Sequence, residues 1–194
     1  MIFTKKENNM GLIDLIVGFI VGIISSYIFW LTLALTKPKI LISPSAVYYP
    51  KDGSLKIKII NNSRRQAVDI QVETAVDEIT SGKRRTIHRP TIKNDTTRFA
   101  LEPRHKDKDI QWGLPASTIF VIIDGKQILD LLESSNKLER RLLFTLSATD
   151  AISGSKSVQR VSYLYSDIQH GDYCGGLNFK VMESPSNDSE EGDI

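Results

Sequence analysis

Apolar residues first run almost without interruption along this chain, and further on they alternate. In residues 12–35, "LIDLIVGFIVGIISSYIFWLTLAL", fifteen positions are Leu, Ile, Val or Phe, and one, Asp14, is charged. A helix of that length reaches about 36 Å, against a hydrocarbon core of roughly 30 Å. The pattern predicts a transmembrane helix over 11–36, preceded by a short tail, 1–10. Each such side chain near the middle favours insertion by roughly 0.3–0.6 kcal/mol. Asp14 lies close enough to the end to reach headgroups. Lys5 and Lys6 look like the basic start of a signal peptide, but the apolar run is too long and closes on "WLTLALTKPK" without an A-x-A site. The segment therefore reads as an uncleaved anchor.

From residue 37 the period is mostly two, the signature of strands with one face buried. "LKIKIIN" (55–61) alternates, and so does "AVDIQVETAVDEI" (67–79), which puts Val68, Ile70, Val72, Thr74 and Val76 on one face. "NNSRRQ" separates these runs as a turn and "TSGK" (80–83) closes the second. Shorter strands fit "RRTIHR", "TTRFALEP", "STIFVII", "RLLFTLSATD" and "KSVQRVSYLY", with turn signals between them at the spacing of a sandwich. One segment departs from this period. Asp124 can cap a helix over 125–135 in a capping box with Gln127, leaving Ile128, Leu131 and Leu132 on one face as a lid. There are no internal repeats.

Charge adds direction. Lys37, Lys39, Lys51 and Lys56 follow the apolar helix, against Lys5 and Lys6 before it, so the positive-inside rule leans towards a cytoplasmic C-terminal domain at the cell membrane. Cys174 is the single cysteine, which excludes an internal disulfide and fits a reducing compartment. The last twelve residues, "ESPSNDSEEGDI", hold five acids and no base, and 183–194 reads as a disordered acidic tail. Residues 1–182 are correspondingly basic, with 25 Lys and Arg against 18 acids. "NNS" (61–63), "NDT" (94–96) and "NDS" (187–189) match the glycosylation triplet, a pattern common by chance.

Candidate chemistry is sparse. "VSYLYSDIQHGDY" (161–173) gathers a histidine, acids and hydroxyls around Gly171. On an unbroken strand His170, Asp172 and Cys174 would share a face and could take zinc with a fourth ligand, yet His88 and His105 are the only other histidines and no CxxC or HExxH spacing accompanies them. No metal or other cofactor is expected. "SGS" and "SPS" lack the strand-to-helix context of a nucleophile, and phosphate-loop and dinucleotide fingerprints are missing. The chain does not read as an enzyme. "KRRTIHR" (83–89) and "PRHKDKD" (103–109) are basic, but interleaved Asp residues and missing aromatics argue against nucleic acid and for solvated strand faces and loops.

Taken in order, the strands from "RLLFTLSATD" to Tyr173 resemble the end of the cytoplasmic domain of inward-rectifier potassium channels. Ser162–Tyr163, Asp167–Ile168, Gly171 and Tyr173 stand at the matching places. "KPKILISPSAVYY" (37–49) is similar to that family's basic-Pro junction and first strand, through Ser43, Ala46 and Val47. The likeness covers 37–179. It implies an immunoglobulin-like β-sandwich over 37–182, assembled around a symmetry axis beneath a membrane, with Lys37 and Lys39 at the position of a phospholipid-contacting junction. It does not imply conduction, because the chain has a single membrane helix and no Gly-Tyr-Gly filter.

The expectation is thus a mainly β protein, an immunoglobulin-like sandwich with one short helix behind a single-pass anchor. It would act as a sensing or protein-interaction module at the cytoplasmic membrane face. Alternatively, it is an oligomerising effector whose helices perturb or gate the bilayer, with Gly18, Gly22 and Ser26 as a helix-association stripe. Anionic lipid, a protein partner or self-association are the expected contacts.

Overall fold

The computed structural model describes residues 4–35, 37–93, 99–104, 115–134 and 139–183. Two compact units divide between Lys37 and Pro38. The first is a single helix, α1 (Thr4–Leu35). It begins seven residues before the predicted start at 11, since "TKKENNM" contains neither Pro nor Gly to stop backbone bonding. Its stretch Asp14–Leu33 has a mean hydropathy of 2.2, and it is long and apolar enough to cross a membrane.

The second unit is mainly β. Its first sheet is centred on β3 (Ser54–Asn61). Along one edge of β3 run β1 (Ile40–Ile42) and β2 (Ala46–Tyr49), which pair in turn with its two ends. Along the other runs β7 (Ser117–Ile122). β10 (Ile168–His170) then adds to β2 in parallel. In the second sheet, β4 (Ala67–Thr80) lies between β8 (Glu139–Asp150) and an edge shared by β5 (Lys83–His88) and β6 (Phe99–Leu101). β9 (Lys156–Tyr163) closes the far side of β8. β11 (Asp172–Tyr173) and β12 (Val181–Met182) form a small hairpin.

Both sheets contribute to one buried cluster. Leu55, Ile57, Ile59, Phe120 and Ile122 come from the first, and Ile70, Val76, Leu142, Phe144 and Leu146 from the second. Phe120 and Phe144 meet between the sheets, with ring centroids 5.8 Å apart. This is the work of period two: alternate side chains of each strand leave water together.

The alternation is interrupted once in β4. Ala67 pairs with Asp150 and Val68 with Thr149, but Gln71 pairs with Ser147, so β4 carries one extra residue there. Asp69 takes φ 49 to make this bulge. The residue facing the core before it is therefore Ala67, not Val68 as the uninterrupted pattern predicts; Ile70, Val72, Thr74 and Val76 do lie on the core side.

α2 (Gly125–Glu133) packs Gly125, Ile128, Leu129 and Leu132 inward. Leu129 replaces the expected Leu131, because three- and four-residue steps from Gly125 define the stripe. The helix approaches so closely that a Cβ on Gly125 would lie 2.5 Å from Leu55 N. The predicted capping box is not formed: Asp124 makes no side-chain cap bond, and its Oδ2 instead accepts the Thr91 N–H at 3.3 Å. Residues 94–98 and 105–114, with His105 and most of "PRHKDKD", lie outside the described residues, as do 135 and the acidic tail from 184.

Candidate functional site

The histidine-bearing stretch 161–173 forms a structural seam. Tyr163, fully buried, ends β9 and donates its hydroxyl to Ser43 O at 2.8 Å. Tyr173 donates to Ser45 O at 2.7 Å and lies 2.9 Å from Ser43 Oγ. Two tyrosines far along the chain thus converge on the break between β1 and β2. Burial pushes both hydroxyls above the ordinary tyrosine range, so they remain neutral donors.

From Asp172 to Gly176 the chain covers the lysine-bearing face of β3. Lys56 Nζ binds both oxygens of Asp172 at 3.0 Å and sits 3.8 Å above the Tyr49 ring. Lys58, only 2% exposed, donates to Cys174 O at 2.9 Å and Gly176 O at 2.7 Å. A buried ammonium is tolerated only with such partners. This explains why β3 is buried on both faces although its sequence alternates apolar and basic.

The zinc arrangement does not assemble on this seam. Gly171, at φ +143, breaks the strand between β10 and β11, so alternation does not carry across it. His170 meets the Tyr48 ring edge-on at 5.5 Å, Asp172 is held by Lys56, and the Cys174 N–H donates to Lys180 O. Among the described residues no three His, Cys, Asp or Glu side chains group as metal ligands.

Polar chemistry gathers instead on the outer face of the second sheet. Pairing places Thr86, Asp77 and Arg141 in one row across β5, β4 and β8. Two further rows run across β4, β8 and β9, namely Ala75, Leu143 and Ser162, then Glu73, Thr145 and Arg160. Two contiguous hollows lie over these rows. The smaller, about 240 Å³, is lined by Asp77, Ile79, Arg84, Arg141, Leu143, Arg160 and Ser162. The larger, about 670 Å³, shares Asp77, Arg84, Leu143 and Arg160 and extends to Val72, Glu73, Arg89, Pro90 and Ile92.

The arginines are held in place along their stems. Arg84 Nε donates to Asp77 Oδ2, and the Thr86 hydroxyl donates to Asp77 Oδ1 at 2.8 Å. Asp77, 4% exposed, is therefore paired within the sheet. Arg160 Nε donates to Thr145 Oγ1 at 3.1 Å. Arg141 is tied to Glu139 through Nε and Nη2. Bonding through Nε fixes a guanidinium plane and, in Arg84 and Arg160, leaves the terminal N–H groups available for bidentate recognition of an anion, whereas Arg141 also commits Nη2 to Glu139. In the sequence Arg84 and Arg89 belong to a basic run with the pattern of a solvated strand face, and no motif marks Arg141 or Arg160. Period two puts Glu73, Ala75 and Asp77 on the outward side of β4, but the register that sets them beside Arg84, Arg141, Ser162 and Arg160 is not written in any one strand.

The helix-stripe and junction residues singled out from the sequence are exposed. In α1, Gly18, Gly22 and Ser26 lie at four-residue spacing on the surface, and a Cβ at either glycine meets nothing within 4 Å. Lys37 is exposed at the end of the first unit. In the second, the Lys39 side chain is exposed, its carbonyl accepts the Asn62 N–H at 2.8 Å, and Pro38 is buried. No family model and no curated protein sequence matches the chain.

Proposed function

We propose that this chain is a non-enzymatic, single-pass membrane protein whose β domain is a sensing or protein-interaction module at the cytoplasmic face. Its receiving surface is the arginine-lined groove over β4, β5, β8 and β9. The observation that carries this reading is the groove itself, in which four arginines surround a floor of Ala75 and Leu143. Polar groups at a few fixed points over an apolar floor are the usual make-up of a binding site. The cytoplasmic orientation rests on the lysine bias, and Lys37 and Lys39 each add roughly 1 kcal/mol of attraction to an anionic leaflet. The finer fold reading, an immunoglobulin-like sandwich similar to the cytoplasmic domain of inward-rectifier channels, belongs to the same proposal. It is supported by two sheets on one core and by the burial of Ser43, Ala46 and Val47.

The test is photo-crosslinking in native membranes with p-benzoylphenylalanine in place of Ser162, an exposed residue of the groove, or of Leu41, an exposed residue of the first sheet. An adduct is expected at 162 and not at 41. Absence of any adduct at 162, or equal adducts at both positions, defeats the reading.

A second reading, an oligomerising membrane effector, is favoured by the exposed small-residue stripe of α1. Small residues let helix backbones approach closely in lipid. Substitution at Gly18 and Gly22 is a clean probe, because a Cβ at either position meets nothing within 4 Å among the described residues. Gly18→Ile with Gly22→Ile is expected to reduce cross-linked oligomers several-fold while membrane insertion persists. Unchanged oligomers would remove the stripe from the account.

A further inference from the structure

We propose that the groove on the second sheet binds a soluble, phosphate-bearing small molecule, with its phosphate among Arg84, Arg141, Arg160 and Ser162 and its body over Val72 and Ile92. This rests on the groove being the receiving surface, and it adds the class of ligand.

The two hollows differ chemically. Three guanidiniums surround the smaller one; Arg84 is paired with Asp77 and Arg141 with Glu139, and among the described residues no carboxylate pairs with Arg160, whose Nε is held by the Thr145 hydroxyl. That end has unbalanced positive charge, and the Ser162 hydroxyl adds a neutral donor. The Arg84 and Arg141 side chains are 45% and 37% exposed, so they are accessible to a solute. Phosphate suits this end because guanidinium N–H pairs match its oxygens bidentately.

The larger hollow continues away from that charge. It extends to Val72, Pro90 and Ile92, of which Val72 and Ile92 also pack against the core between the sheets, with Glu73 exposed among them. Glu73 accepts hydrogen bonds and repels anions, so it favours a body that carries no negative charge and offers N–H or O–H donors. Such a ligand concentrates its charge at one end. An acidic peptide would spread carboxylates along the trough and meet Glu73, which disfavours it. Size agrees: about 670 Å³ lies within the roughly 300–1,000 Å³ of small-molecule sites.

The experiment uses the full chain in neutral phosphatidylcholine nanodiscs and calorimetry at low salt. The probes are inorganic pyrophosphate, adenosine diphosphate and a hexaglutamate peptide; vesicles containing phosphatidylserine form a separate arm. Pyrophosphate and adenosine diphosphate are expected to bind, the latter more tightly because it also occupies the larger hollow. Binding should weaken as ionic strength rises.

Arg84→Gln with Arg160→Gln should weaken both phosphates on the order of tenfold or more. Because losing Arg84 strips a partner from buried Asp77, Arg141→Gln with Arg160→Gln provides a second variant that leaves that pair intact. Glu73→Gln should change affinity for adenosine diphosphate and leave pyrophosphate unaltered. The proposal is overturned if neither phosphate binds, or if binding survives both double variants. It is equally overturned if hexaglutamate binds as tightly or only the phosphatidylserine vesicles bind. A protein-sized adduct at position 162 without phosphate binding would keep the interaction module and end this assignment. Absence of both would end the two together.

Discussion

Phe144→Ala is expected to lower the unfolding free energy of the β domain by about 3–5 kcal/mol, as truncation of a fully buried Phe does. Phe144 has no exposed surface, and its ring packs against Phe120 across the two sheets. Removing it takes away transferred apolar area and leaves a cavity that strands on both sides cannot easily close, since each is fixed by its ladder. The measurement is a denaturant transition of the full chain in nanodiscs, followed by near-ultraviolet circular dichroism. A cycle with Phe120→Ala should give a coupling of roughly 0.5–1.5 kcal/mol, the range for aromatic pairs. Val158→Ala is the control: Val158 is 64% exposed, so its loss should cost less than about 0.5 kcal/mol. Equal midpoints for Phe144→Ala and Val158→Ala would show that the two sheets do not share one core.

Gly171→Ala should release the C-terminal seam. At φ +143 the backbone is in a region that L side chains rarely adopt, and the added Cβ would lie 2.1 Å from Met182 O. Strain of this kind costs roughly 1–3 kcal/mol by itself. The clash adds to it, because a backbone carbonyl cannot turn aside as a side chain can. The simplest relief separates β11 from β12, and with them goes the pairing of Asp172 with Met182 and of Tyr173 with Val181. Amide exchange at Cys174, whose N–H donates to Lys180 O, should then accelerate by an order of magnitude or more, while β8 stays protected. Gly175→Ala provides the comparison, since its Cβ meets nothing within 4 Å. If Gly171→Ala exchanges no faster than Gly175→Ala, the hairpin does not anchor the seam.

Local periodicity was legible in this sequence. The uninterrupted run at 12–35 and the alternating runs from 54 to 163 mark α1 and the main strands, because burial of one side or all sides of a segment is written in its own residues. The limits of that reading fall where a neighbour intervenes. Val68 leaves the core face because one residue of β4 bulges against β8, and Asp124 abandons its cap for the Thr91 N–H. Alternation in "LKIKIIN" puts Lys56 and Lys58 on the side of β3 opposite Leu55, Ile57 and Ile59, yet both are covered by a segment more than a hundred residues later.

By itself, the sequence determined one helix long and apolar enough to span a membrane, a mainly β domain after it, and the core-facing side of β4 from Ile70 to Val76. Only the tertiary structure decided which outward faces adjoin. Ser43 became the meeting point of Tyr163 and Tyr173, and Arg84, Arg141 and Arg160 came to line one hollow. The reason is that strand order and register are relations between distant segments. Closing a longer loop costs little more than closing a shorter one, so spacing along the chain barely constrains them. They are selected by the packing of the shared core, which no single segment contains.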